Sequence, residues 1–258
     1  VTSQINDDFW DLARHCYGYG NWQGHYWFIG PEQGGSVTRI PKRAAAFRKL
    51  DGDTDGLCDC CEFHKEIFEA GDKDWCRQGK LPPLQSTWHY LLVTLLSYKN
   101  QITFEKSNDR AAREIYLRPI KEYQRDEWGR SNGETCVIER SGVAYKSFKE
   151  SAAIRATFSD SERQEFDSVL RQRTEHITSQ ILKIGPDFVL IYSKSQYPHW
   201  KDLRSRGSKI SGSPNEIFRV GRTLVAFAES RGKNNPHPDP WFNLGQELRK
   251  HGTREHTN

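Results

Sequence analysis

Apolar residues fall into a few dense runs along this chain, and the spacing inside each run separates strands from helices. Tyr26-Trp27-Phe28-Ile29 is an unbroken apolar stretch, and Asp187-Phe188-Val189-Leu190-Ile191-Tyr192 and Thr223-Leu224-Val225-Ala226-Phe227-Ala228 are apolar after their first residue. Short continuous runs of this kind predict strands buried on both faces. Thr135-Cys136-Val137-Ile138-Glu139 reads as a further short strand. Between these runs the period becomes helical. Phe9, Trp10, Leu12 and Ala13 predict a short amphipathic helix near the start of the chain. Trp88, Leu91, Leu92, Leu95 and Leu96 predict another that begins at Ser86 or Thr87, and Ile115, Leu117, Ile120 and Tyr123 a solvated one over residues 109–128. Ser159-Asp160-Ser161-Glu162 has the form of a capping box. It opens a helix through Phe166, Val169, Leu170, Ile177, Ile181 and Leu182 that stops at Gly185-Pro186, a C-terminal glycine followed by a breaker. A last helix is expected from about Pro240 to Lys250, and the Ser/Gly-rich stretch from Arg204 to Pro214 reads as a mobile loop.

Strands alternating with helices predict an α/β protein: three α/β/α layers around a short, mainly parallel four-stranded sheet. The expected organisation is one domain over residues 1–252, with 41–81 a candidate insertion and 253–258 a disordered tail. The first strand breaks into Gly30-Pro31-Glu32-Gln33-Gly34-Gly35, which reads as a loop. In open α/β sheets ligands bind where such strands end, so this segment is the leading candidate site.

Composition narrows the classes without choosing among them. The 258 residues are 35% hydrophobic, with 13 Phe, 10 Tyr and 8 Trp, too rich in aromatics for a disordered chain. Mean hydropathy is −0.82, and no apolar run approaches the ~18 residues that suggest a membrane span. A net charge of +4 permits nucleic-acid binding without demonstrating it. Four of the six cysteines lie between Cys58 and Cys76, a distribution unlike a secreted disulfide framework in a chain this long. A reducing cytoplasm is therefore the default expectation.

The order of the motifs carries more than any one of them. A strand ends in Phe28-Ile29-Gly30-Pro31-Glu32-Gln33-Gly34-Gly35, and Leu84-Gln85-Ser86-Thr87-Trp88 opens a helix. Tyr123-Gln124-Arg125 and Gly133-Glu134-Thr135 lead into the second strand; Pro186-Asp187-Phe188-Val189 and Trp241-Phe242-Asn243-Leu244-Gly245 follow. This succession resembles the uracil-DNA glycosylase superfamily, particularly its divergent bacterial branches, over most of residues 5–250. The resemblance implies an enzyme that hydrolyses the N-glycosidic bond of uracil or another damaged base in DNA, without a required cofactor, acting as a monomer with DNA as its partner. Glu32 matches by position the family's water-orienting aspartate in Gly-Gln-Asp-Pro, with Pro31 in place of the Gln and Gln33 in place of the Pro. Breaking such a bond puts positive charge on the sugar and negative charge on the base, so a carboxylate below the sugar and amides or a His near the base are needed.

For the family's second motif, His237-Pro238-Asp239-Pro240 resembles His-Pro-Ser-Pro, several residues beyond the last strand. His237 is one candidate donor to the base anion, and Ser230 or the backbone of residues 229–232 is the other. Gly30, Gln33 and Gly34 would line the base pocket. Glu139 falls where the family reads the base, and Phe47 is a candidate stacking ring or a core aromatic. Arg231 and Lys233, with basic loops around 194–210 and 229–235, would meet the DNA backbone. A non-catalytic nucleic-acid-binding module of the same fold is the alternative.

A second signal is independent of this resemblance. Asp51-Gly52-Asp53-Thr54-Asp55-Gly56 followed by Glu62 matches the calcium-loop pattern, with acids at positions one, three, five and twelve. A calcium ion held by Asp51, Asp53, Asp55 and Glu62, or a solvated acidic turn, are the two readings. Cys58, Cys61, His64 and Cys76 could form a Cys3His zinc site, while Cys60, Cys61 and His64 are equally well explained as residues on a helix.

Overall fold

The computed structural model describes residues 7–50, 55–69, 74–76, 80–103, 110–213, 215–228 and 238–252. The strands are β1 (Gly18–Gly20), β2 (Tyr26–Gly34), β3 (Leu57–Cys58), β4 (Thr135–Tyr145), β5 (Phe188–Tyr192), β6 (Ser208–Lys209), β7 (Glu216–Val220) and β8 (Thr223–Ala228). The helices are α1 (Asp7–His15), α2 (Ile40–Leu50), α3 (Cys60–Ile67), α4 (Ser86–Tyr98), α5 (Arg110–Asp126), α6 (Phe148–Ala156), α7 (Asp160–Ile184), α8 (Lys201–Ser205) and α9 (Asp239–Gly252).

The strands form one mixed sheet of eight, in the order β3-β1-β4-β2-β5-β8-β7-β6. Its centre, β4-β2-β5-β8, is parallel throughout, and consists of the four strands that apolar runs marked. The expectation of a four-stranded sheet is corrected at both edges. On one side β1 runs antiparallel to β4 and carries β3. On the other, β7 and β8 form an antiparallel hairpin that β6 extends. The stretch read as a mobile loop therefore contains β6 and the end of α8.

Alternation sorts the central side chains between two cores. Trp27, Ile29, Ile138, Val189, Ile191 and Val225 pack in a cluster with Ile177 and Ile181 of α7 and Leu203 of α8. Phe28, Val137, Leu190, Leu224 and Ala226 face the other way, into a cluster with residues of α1, α2, α4 and α9. Both faces of the parallel strands are thus covered, which is why they read as continuous apolar runs rather than alternating ones.

α7 starts as its sequence indicates. The Ser159 side chain accepts from the Glu162 amide, and the Glu162 carboxylate accepts from the Ser159 amide. It ends at Gly185, whose φ of 64° is the left-handed conformation that closes a helix without a Cβ clash. One residue breaks its apolar stripe. Arg173 falls between Leu170 and Ile177 and is 1% exposed. Its guanidinium donates to the carbonyls of Ala13, Cys16, Glu139 and Arg140 at 2.8 to 3.2 Å and lies 4.1 Å from the Tyr17 ring centre. The end of α1 leaves carbonyls without helical partners, and Arg173 joins them to β4.

The cysteines depart from expectation. Cys61 and Cys76 form a disulfide, while Cys16, Cys58, Cys60 and Cys136 are buried in the core. The disulfide removes cysteine usage as an argument for a reducing compartment. Among the described residues no helix is long and apolar enough to cross a membrane.

Candidate functional site

The chain visits its parallel strands as β2, β4, β5, β8, but they lie side by side as β4-β2-β5-β8. The connection from β2 to β4 therefore runs one way across the sheet and that from β4 to β5 runs back past β2, so the carboxyl ends of β2 and β5 flank the point of reversal. In open α/β sheets this is where a crevice forms and ligands bind.

Here the two strand ends are of unequal length. The β2–β5 ladder stops at Ile29–Ile191, while β2 continues beside β4 through Gly30–Glu139, Glu32–Ser141 and Gly34–Tyr145. Gly30 to Gly34 are thus strand, not loop, which corrects the sequence reading. Pro31 comes just after the β5 ladder has ended, where β2 has become an edge and a residue without N–H is tolerated. The register is irregular between Glu32 and Gly34, so the strand bends as it leaves the sheet.

Gly30 lies between two side chains, Glu139 from β4 and Tyr192 from β5. A Cβ at residue 30 would run into the Tyr192 hydroxyl and Glu139 Oε2, so only glycine lets them cross the strand. The Tyr192 hydroxyl donates to Glu139 Oε1 at 3.1 Å. Glu139 is 6% and Tyr192 5% exposed. Burial, followed by the Glu139 charge, pushes the Tyr192 phenol well above its usual range, so Tyr192 remains a hydrogen-bond donor at neutral pH.

The turn after β5 lies at the same end of the sheet. Ser193 is a non-glycine residue at φ 93°, ψ 118°, a sparsely populated conformation of the kind that concentrates at functional sites. Its hydroxyl is 3.0 Å from that of Ser195. Gln196 is 6% exposed, and its Oε1 has no hydrogen-bond partner among the described residues.

No protein-family model and no curated protein matches this chain.

The site geometry brings together some of the expected residues. Gly30 and Glu139 are neighbours, and Glu32, Gln33 and Gly34 continue along the same strand, although the side chains of Glu32 and Gln33 lie outside the described residues. Gly34 is exposed. Phe47 sits on α2 at 2% exposure within the core cluster, the position of a core aromatic and not of an accessible stacking ring. Ser230, Arg231, Lys233 and His237 lie outside the described residues, as do Asp51 and Asp53. Tyr192, Ser193 and Gln196 were not singled out by sequence reasoning. The signal was a polar Ser-Lys-Ser-Gln segment directly after a buried strand that ends in Tyr192.

The metal readings separate. Cys61 and Cys76 are bonded to each other, and His64 Nδ1 is 2.8 Å from the Cys60 carbonyl. Burial holds His64 down to about pKa 4, so it is neutral and built into the core. The zinc reading is overturned by the disulfide, and among the described residues no group of three metal-binding side chains converges. The acidic loop keeps a suggestive frame: α2 ends at Leu50, Asp55 and Gly56 have φ of 52° and 85°, and β3 and α3 follow directly. Glu62, in the first turn of α3, pairs with Lys65 at 2.6 Å.

Proposed function

We propose that the protein is a DNA glycosylase-like hydrolase that removes uracil or another damaged base. The observation that carries this reading is the topological switch point between β2 and β5, where a glycine-containing strand bearing Glu32 continues past the end of β5 beside a buried Glu139–Tyr192 pair. In hydrolysis, water adds to the sugar carbon as the C–N bond breaks, and the base leaves with the electron pair and gains a proton. Glu32 orients the water and stabilises the sugar cation, and the backbone beyond Gly30 lines the base pocket. Glu139, fixed by Tyr192, accepts from a ring N–H and disfavours bases that present only carbonyl oxygens there.

The test is incubation with single- and double-stranded DNA carrying uracil or other damaged bases, followed by cleavage of abasic sites. The wild type should produce breaks, and Glu32→Gln should lower turnover by roughly 10²-fold or more while leaving DNA affinity unchanged. Binding without release of any base would identify a non-catalytic nucleic-acid module instead. Unchanged turnover in the variant would remove Glu32 from the chemistry.

A second reading concerns residues 51–62. A helix ending at Leu50, left-handed backbone at Asp55 and Gly56, a short strand and a new helix at Cys60 support a calcium loop with Asp51, Asp53, Asp55 and Glu62 as ligands. Calorimetric titration with calcium should give one-site binding that Glu62→Ala weakens by at least about 10-fold. A flat wild-type titration removes the reading.

A further inference from the structure

On the sheet face opposite Glu139, a groove of about 600 Å³ runs between α7 and α8. Arg140 follows Glu139 directly on β4, and alternation sends their side chains to opposite faces. Arg140, Arg171, Arg206 and His199 bring basic groups to the groove, and Glu175 and Asp202 bring carboxylates. Asp202 is already engaged, since it accepts from Arg206 Nε at 3.0 Å. Arg140 Nε donates to the Thr174 hydroxyl at 3.1 Å.

Arg155, on α6, stands close enough to Arg140 and His199 to act on both electrostatically. Its Nε is buried with no hydrogen-bond partner among the described residues, and its guanidinium lies 5.1 Å from the Phe166 ring centre. Burial and the neighbouring Arg155 lower Arg140 to about pKa 10, with Asp167 the opposing carboxylate. The same surroundings hold His199 below its usual value. Arg140 and Arg155 are half-buried and repel each other, an arrangement that is costly unless an anion joins them.

We propose that this groove binds phosphate groups of a nucleic-acid strand, with Arg140 and Arg171 as the charged donors, Ser179 supplying a hydroxyl and Thr174 holding Arg140 in place. The inference rests on the nucleic-acid reading of the strand-end site and deepens it: Glu139 and Arg140 are adjacent within β4 and face opposite sides of the sheet, so the groove adds a phosphate-binding surface on the α7 side. Glu175 sets the sign of a control, because removing it must strengthen an anion site.

The test is fluorescence anisotropy with a labelled single-stranded oligonucleotide across a salt series, for the wild type, Arg140→Gln, Arg171→Gln and Glu175→Gln. Each arginine variant should weaken binding roughly 5- to 10-fold and reduce the salt slope by about one, whereas Glu175→Gln should tighten it. Arg171 is exposed on α7, so its variant tests the groove even if Arg140→Gln fails to fold. Calorimetry with inorganic phosphate separates the sources. Phosphate binding as tight as the oligonucleotide, and lost in Arg171→Gln, would replace the nucleic-acid strand with a free phosphate ligand. Affinity and slope unchanged in Arg171→Gln overturn the groove even if bases are released. Arginine-dependent binding without base release upholds the groove and overturns the glycosylase reading alone.

Discussion

Replacing Arg173 with methionine should destabilise the protein by about 4 kcal/mol or more, since each hydrogen bond from a charged donor contributes roughly 1.5–3 kcal/mol and stranded buried acceptors add a further penalty. The guanidinium serves carbonyls from Ala13 to Cys16 on one side and from Glu139 and Arg140 on the other. Methionine fills much of the space but donates nothing, so buried carbonyls at the end of α1 and in β4 lose their partner together. Burial lowers the Arg173 pKa, while Tyr17, Cys16 and Glu139 oppose that shift. Urea unfolding should show the loss as a lower midpoint at unchanged slope, and thermal unfolding as a fall of roughly 10 °C. Arg173→Lys should recover only part of it, because an ammonium cannot fork between two segments. A loss under about 1 kcal/mol in Arg173→Met would mean that water replaces the guanidinium and that α1 is not fastened to β4 through this residue.

The same residue shows where sequence was readable and where it was not. The central parallel strands were legible because burial on both faces leaves a continuous apolar run, as in Phe188–Tyr192. The edges were not. β1 is Gly-Tyr-Gly and β6 is Ser-Lys, short strands whose pairing comes from their neighbours rather than from their own composition. β7 was hidden by Arg219 and by the two-residue turn Gly221-Arg222 that joins it to β8. In α7 the charge at Arg173 sits in register with Phe166, Val169, Leu170 and Ile177, and a lone arginine on an apolar stripe is a signal for a buried guanidinium. Glu139 was legible as a residue but its partner was not. Tyr192 meets it only because β4, β2 and β5 align Ile138, Ile29 and Ile191 in one row, and strand order cannot be read from any one strand. The Gly-Pro-Glu-Gln-Gly segment read as a loop because its composition is that of a turn. Pairing with β4 overrides that preference, and the end of the β5 ladder makes room for the proline.

Gly30→Ala should then damage the site more than its single methyl group suggests. The new Cβ points at the Tyr192 hydroxyl and at Glu139 Oε2, neither of which can swing away cheaply, since both belong to buried side chains of neighbouring strands. Overpacking of this kind costs about 1–3 kcal/mol, and an ångström of displacement at a reacting centre costs about 10²-fold in rate. The variant should therefore lose base release roughly 10²-fold while remaining folded. Its stability loss should shrink by about 1 kcal/mol in a Tyr192→Leu background, because contacting residues are not additive. Leucine removes the hydroxyl and the ring carbon that the methyl group meets, leaving Glu139 as the remaining obstacle. A full stability loss in both backgrounds would place the strain in the β2 backbone. A loss near zero in the single variant would mean that Tyr192 and Glu139 do not close over Gly30 in solution, and the strand-end site would then lack the floor on which the proposed chemistry depends.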